Sequence, residues 1–73
     1  MKDIDINTEY IKLDQFLKWS NIVNNGSDAK YLIKNFLVKV NEDIETRRGK
    51  KLYQDDIIEV EAQKNRLNSS YEV

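Results

Sequence analysis

The period of the apolar residues changes twice along this chain, and that change restricts its fold more than any other feature. Near the start, Ile4 and Ile6 alternate with Asp3, Asp5 and Asn7, the period of two expected of a short edge strand with one buried face. From Lys12 to Ser20 the spacing becomes helical. Leu13, Phe16, Leu17 and Ser20 share one side, Trp19 projects beside that stripe, and Asp14 and Lys18 form an i, i+4 pair on another side. Asn24-Asn25-Gly26 is a stop, after which Ser27 or Asp28 can cap a second helix, ending near Phe36, with Ala29, Leu32, Ile33 and Phe36 on its apolar face.

Alternation then returns. In the strand Leu37 to Asn41, Val38 and Val40 point one way and Lys39 the other; Asn41-Glu42-Asp43 reads as a turn and Ile44-Glu45-Thr46 as a short strand. Arg47 to Lys51 is a loop, Asp55-Asp56 a further turn, and Ile58, Val60 and Ala62 alternate with Glu59 and Glu61 in a final strand. Two helices with one apolar stripe each must pack on something, and the strands are the available partner. The expected fold is α+β: two short packed helices on one side of a small mixed or antiparallel sheet. A single domain is expected over residues 1–63, with residues 64–73 a polar, mobile tail without period.

Composition closes most routes to catalysis. The chain has no cysteine and no histidine, so it lacks a thiol nucleophile, a thiolate metal site and the commonest acid/base group. At 73 residues it buries only about 60% of the surface its unfolded chain exposes, which makes it marginal in stability. Its apolar runs are far shorter than a membrane span, and Met1-Lys2-Asp3-Ile4-Asp5 has no signal-peptide character, so a cytoplasmic protein is expected.

The total charge of −1 hides a strong asymmetry. Residues 30 to 51 hold seven cations (Lys30, Lys34, Lys39, Arg47, Arg48, Lys50 and Lys51) against Glu42, Asp43 and Glu45, a local +4 between acidic ends. Neutralisation of phosphates by clustered Lys and Arg supplies most non-specific affinity for nucleic acid. Four cations in the five residues Arg47-Arg48-Gly49-Lys50-Lys51 repel one another until an anion arrives.

Several segments resemble, in order and spacing, the small RNA-binding domain named after ribosomal small-subunit protein S-four. They are Lys12-Leu13-Asp14-Gln15-Phe16-Leu17-Lys18, Ala29-Lys30-Tyr31-Leu32-Ile33, Val38-Lys39-Val40-Asn41, Glu45-Thr46-Arg47-Arg48-Gly49-Lys50-Lys51-Leu52 and Asp56-Ile57-Ile58-Glu59-Val60. With the lead-in Thr8-Glu9-Tyr10-Ile11, the chain is most similar to short free-standing bacterial members of the YaaA type, over about residues 4 to 61. The resemblance implies an alpha-L-type motif in which two helices and a basic loop contact structured RNA, often ribosomal or transfer RNA. Carried onto this chain, the implied contacts are Lys12, Lys30, Lys34, Lys39, Arg47, Arg48, Lys50 and Lys51. Where the family usually has glycine this chain has Phe36, Glu42 and Asp55, so a turn longer than a two-residue hairpin is expected at Asn41-Glu42; Lys12 replaces a common arginine.

Each site residue also has a plainer reading. A single surface lysine is usually just solvated. Phe16 and Phe36 fit the core; Trp19 and Tyr31 either pack partially against a neighbouring helix or stack on an unpaired base. Asp14 is expected to pair with Lys18 or a neighbouring base. Asp55, Asp56, Glu59 and Glu61 suit a turn and a solvated strand face better than a metal site, because alternate strand positions do not converge on one ion. No cofactor or metal is expected. The partners expected are structured RNA, ribosomal foremost, and ribosomal or assembly proteins, for a monomer. The alternative is a protein-interaction adaptor that docks onto a ribonucleoprotein assembly through Trp19, Tyr31 or the acidic C-terminal strand.

Overall fold

The computed structural model describes residues 1–72. In chain order its elements are β1 (Lys2–Ile6), β2 (Ile11–Lys12), α1 (Leu13–Trp19), α2 (Gly26–Lys34), β3 (Val38–Val40), β4 (Asp43–Ile44), β5 (Lys51–Leu52), β6 (Ile57–Val60) and β7 (Gln63–Ser69). Five strands make a mixed sheet in the order β1-β7-β6-β3-β4, and β2 pairs with β5 in a separate two-stranded ribbon. All sheet neighbours are antiparallel except β1 and β7, which run parallel and join the two ends of the chain.

The alternating residues explain why the helices sit where they do. Ile4, Ile6, Val38, Val40, Ile58, Val60 and Leu67 face inward from the sheet, and Leu13, Phe16, Leu17, Ala29 and Ile33 meet them from the helices in one buried cluster. Neither helix is long enough to be stable alone in water, so this packing is what holds both. The outward face of the sheet is mostly polar, with Ile44 beside Lys39 and Ile57 beside Arg66 as its apolar members. Lys39 stands opposite Glu59, Glu59 opposite Lys64, and Arg66 opposite Asp3, a ladder of alternating charge.

The segment expected as a tail is a strand. Residues 63–69 form β7, which pairs with both β1 and β6. Its alternation is real but mostly polar: Leu67 is fully buried, Asn65 is buried beside it with its amide donating to the Ile58 carbonyl at 3.3 Å, and Lys64, Arg66 and Asn68 face outward. Arg66 pairs with Asp3 at 3.0 Å, and the Asn68 amide donates to the Asp5 carboxylate at 3.0 Å, so polar contacts do much of the stitching. Val73, the last residue of the expected tail, lies outside the described residues.

Helix α2 begins earlier than expected. Asn25 is the cap, its side-chain oxygen accepting from the Asp28 N–H at 2.9 Å, and Gly26 opens the helix rather than stopping the chain. At the far end Phe36 N–H donates to the Ile33 carbonyl and Leu37 N–H to the Leu32 carbonyl, the paired bonds of a Schellman motif. Phe36 takes its left-handed position at φ 61° and is 64% exposed, so it is not in the core.

The two hairpin turns follow the same rule. Val40 pairs with Asp43 and Val60 with Gln63, so Asn41-Glu42 and Glu61-Ala62 are two-residue loops, and the longer turn expected at Asn41-Glu42 does not occur. All four residues have positive φ (51°, 76°, 52° and 65°), as a type I′ turn requires. Ala62, expected as an inward strand residue, is therefore an exposed turn residue. Asp55 also has positive φ, at 71°. Phe36, Glu42 and Asp55, the three positions where the family usually has glycine, are thus all left-handed.

Candidate nucleic-acid interface

The basic loop is anchored to the start of α1. The first N–H groups of a helix have no partner within it, and here the loop supplies the acceptors. Leu13 N–H donates to the Lys50 carbonyl at 2.8 Å and Asp14 N–H to the Arg48 carbonyl at 3.1 Å. Lys50 N–H closes a turn onto the Arg47 carbonyl at 3.2 Å, and β5 then pairs with β2, Leu52 beside Ile11 and Lys51 beside Lys12. Lys12, Arg48, Lys50 and Lys51 are thereby gathered at one end of α1, although Lys12 is far from the others in sequence.

Two loop cations already have carboxylate partners. The Arg47 guanidinium makes a two-point contact with Glu45 at 2.9 and 3.1 Å, and the Arg47 backbone N–H donates to the same carboxylate at 2.9 Å. The side-chain bond from Arg47 is the main cause that draws the Glu45 carboxyl from 4.5 down to about 2, against the opposing effect of its burial. Glu45 in turn raises Arg47. Arg48 approaches Asp14 at 3.6 Å, so Asp14 pairs across to the loop and not with Lys18. Lys12, Lys50 and Lys51 have no ion-pair partner among the described residues. Like charges directly opposite one another on paired strands destabilise them, and Lys12 opposite Lys51 is such a pair. An anion placed between them would relieve that repulsion.

The remaining expected contacts lie elsewhere. Lys30 and Lys34 are one turn apart on the exposed flank of α2. Lys39 projects from the outer face of the sheet, away from the helices and beside Glu59, so the cations do not share one side of the molecule. Trp19 is 60% exposed, and its indole N–H donates to the Asp5 carbonyl at 2.8 Å, covering part of the open edge of β1. Tyr31 is exposed on the rim of a cleft of about 510 Å³ that also involves Asp28, Glu61 and Lys2, lined by residues of both charge signs.

Sequence reasoning passed over Tyr10 and Tyr53. Their rings lie 5.9 Å apart, and the Lys51 ammonium sits 4.6 Å from the centre of the Tyr10 ring. The signal was present in Tyr10-Ile11-Lys12 and Lys51-Leu52-Tyr53, mirror-image alternations around an apolar residue, but only their pairing gives it meaning. Of the acidic residues weighed as a metal site, Asp56 fixes a turn: its carboxylate accepts from the Tyr53 N–H at 2.8 Å and the Asn41 amide at 3.0 Å. Among the described residues no group of three or more carboxylates converges on a point that could hold a metal ion.

The loop tied to the first N–H groups of α1, beside the five-stranded sheet, presents a cluster of cations on a fixed backbone. Residues 4–68 match the S4 domain, β7 included up to Asn68, and the chain belongs to that family. It is 43% identical over 58 residues to the probable ribosome maturation protein RlbA of Bacillus subtilis (strain 168), covering 80% of this chain and 82% of that one. Its backbone also matches the 30S ribosomal protein S4e of Thermoplasma acidophilum with a TM-score of 0.63 over 82% of this chain, at 20% identity, a likeness of fold. This chain corresponds to only 32% of that protein. As an S4 domain the chain is a binding protein, not an enzyme. Among the described residues no helix is long and apolar enough to cross a membrane.

Proposed function

We propose that this protein binds structured RNA, ribosomal RNA foremost, without catalysis, and acts in ribosome assembly or translation in the cytoplasm. The contact surface is the loop Arg47-Arg48-Gly49-Lys50-Lys51 with Lys12, extended by Lys30 and Lys34. The observation that carries this reading is the anchored loop: backbone bonds from Leu13 and Asp14 fix its course, while Lys12, Lys50 and Lys51 have no carboxylate partner among the described residues. A cation cluster fixed before binding loses little entropy when phosphates arrive. The relative named as a ribosome maturation protein supports the ribosomal setting.

Arg47 takes a distinct part. Its side chain is 70% exposed and its guanidinium is held at two points by Glu45, so the remaining N–H edge can face a phosphate while the carboxylate competes for it. Phosphate contacts set affinity, and the fit of loop and helices to an RNA shape sets preference. The test is fluorescence anisotropy with a labelled ribosomal RNA fragment. Arg48→Ala combined with Lys50→Ala weakens binding at least tenfold with unchanged circular dichroism, whereas Lys39→Ala, on the other face, does not. Equal losses from both variants would contradict the assignment.

A second reading, an adaptor that docks onto a ribonucleoprotein assembly through protein contacts, draws on a specific observation. Phe36, Leu37 and Ile44 are all largely exposed near the β3–β4 edge, and Phe36 is held in a strained backbone position without burial in return. Co-purification with ribosomal particles that survives ribonuclease treatment and is lost in Phe36→Ser favours that reading.

A further inference from the structure

The ribbon formed by β2 and β5 carries on its outer face, beside Lys12 and Lys51, two aromatic rings that the phosphate-binding role does not account for. Ile11 and Leu52 are paired and point toward the core, Leu52 fully buried, so the residues on either side of each point outward. That face therefore carries Tyr10 and Lys12 on one strand and Tyr53 and Lys51 on the other. The two rings meet at 5.9 Å with a 47° tilt, leaving 36% of Tyr10 and 44% of Tyr53 open to solvent, and Lys51 lies over Tyr10. We infer that Tyr10 and Tyr53 form a stacking site for one unpaired base of the bound RNA, with Lys12 and Lys51 holding the phosphates on either side of it.

This inference rests on the RNA-binding reading and adds the class of nucleotide to it. Aromatic faces accept any base because every base has a π face, and cations beside them track the sugar–phosphate chain. A paired base offers no face to a side chain, so such a site selects a bulge, a loop or an end. Trp19 is less suited, since its indole N–H is committed to the Asp5 carbonyl. The alternating tyrosine and lysine residues come from segments separated by both helices, β3, β4 and the basic loop, and the ribbon pairing brings them onto one face.

The test compares two labelled RNA hairpins identical but for one bulged nucleotide in the stem. The wild-type protein binds the bulged hairpin about tenfold more tightly than the fully paired one. Tyr53→Leu and Tyr10→Leu, which keep apolar cover over the ribbon, lose most of that preference and leave the fully paired affinity unchanged; Tyr53→Phe and Tyr10→Phe retain it. Wild-type protein that binds both hairpins equally, or leucine variants that keep the preference, overturns the stacking site and leaves the phosphate surface standing. Failure to bind either hairpin overturns both. Equal loss of affinity for both hairpins in the leucine variants, with folding intact, also overturns the inference, because it assigns the tyrosines to positioning the loop.

Discussion

Replacing Glu42 with glycine stabilises this protein. Glu42 is the second residue of the two-residue turn between β3 and β4, exposed, in no ion pair among the described residues, and held at φ 76°. A residue with a Cβ costs about 1–2 kcal/mol in the left-handed region. Glycine removes that cost but adds about 0.5–1 kcal/mol of chain entropy to the unfolded state. The net gain is about 0.5–1 kcal/mol, which for a domain of this size raises Tm by about 2–8 °C. The substitution also creates Asn-Gly, the favoured sequence for such a turn. Asn41 stays in place, because its side chain accepts from the Ile57 N–H at 2.9 Å and donates to Asp56 at 3.0 Å. Thermal unfolding followed by circular dichroism measures the shift. Glu42→Gln keeps the backbone cost and removes only the charge, so it leaves Tm nearly unchanged. A Glu42→Gly protein that melts at or below the wild type would refute the reasoning, and so would a glutamine variant with the same gain.

Leu67→Ala costs about 2–5 kcal/mol, enough to unfold much of a small domain, if β7 is part of the sheet; in a mobile tail it would cost nothing. Urea titration separates the two. Gly49→Ala leaves stability unchanged or raises it by about 0.4–1 kcal/mol, because a Cβ there meets nothing within 4 Å and its φ is not positive. The urea midpoint checks this too, and a loss would reveal a packing requirement in the loop. Glu45 has a lower pKa folded than unfolded, so its contribution is full above about pH 4.5 and is lost as pH falls through about 2. After screening around the exposed guanidinium that contribution is about 1 kcal/mol, so Glu45→Gln lowers stability at neutral pH and flattens its fall in acid; parallel urea-midpoint curves for the two proteins would contradict this.

The architecture could be read from the residues wherever an element announces itself through apolar period. Leu13, Phe16 and Leu17, or Val38 and Val40, show both the element and its buried face. β7 gave no such signal because only Leu67 on its inner face is apolar and Asn65 fills the other inward place, satisfied by a hydrogen bond that composition cannot reveal. The left-handed positions of Phe36, Glu42 and Asp55 coincide with missing glycines, so the family comparison located the turns although the residues themselves argue against those conformations. The basic loop was legible as charge, but its course was not. Its anchoring depends on carbonyls meeting the N–H groups of Leu13 and Asp14, and on Lys12 lying opposite Lys51, pairings that only the folded chain creates. The same holds for Tyr10 and Tyr53, while Lys39 shows the converse: a cation close in sequence to the others that alternation sends to the opposite face.

The salt dependence of binding to a ribosomal RNA fragment probes the anchored cation cluster most directly. With three or four phosphates neutralised, log K falls against log salt with a slope of about −2 to −3 on the single-strand coefficient, and each cation removed from Lys12, Arg48, Lys50 or Lys51 makes it shallower by about 0.7. A slope near zero in the wild-type protein, or one unmoved by removing Arg48 and Lys50 together, would contradict the assignment of that surface to RNA.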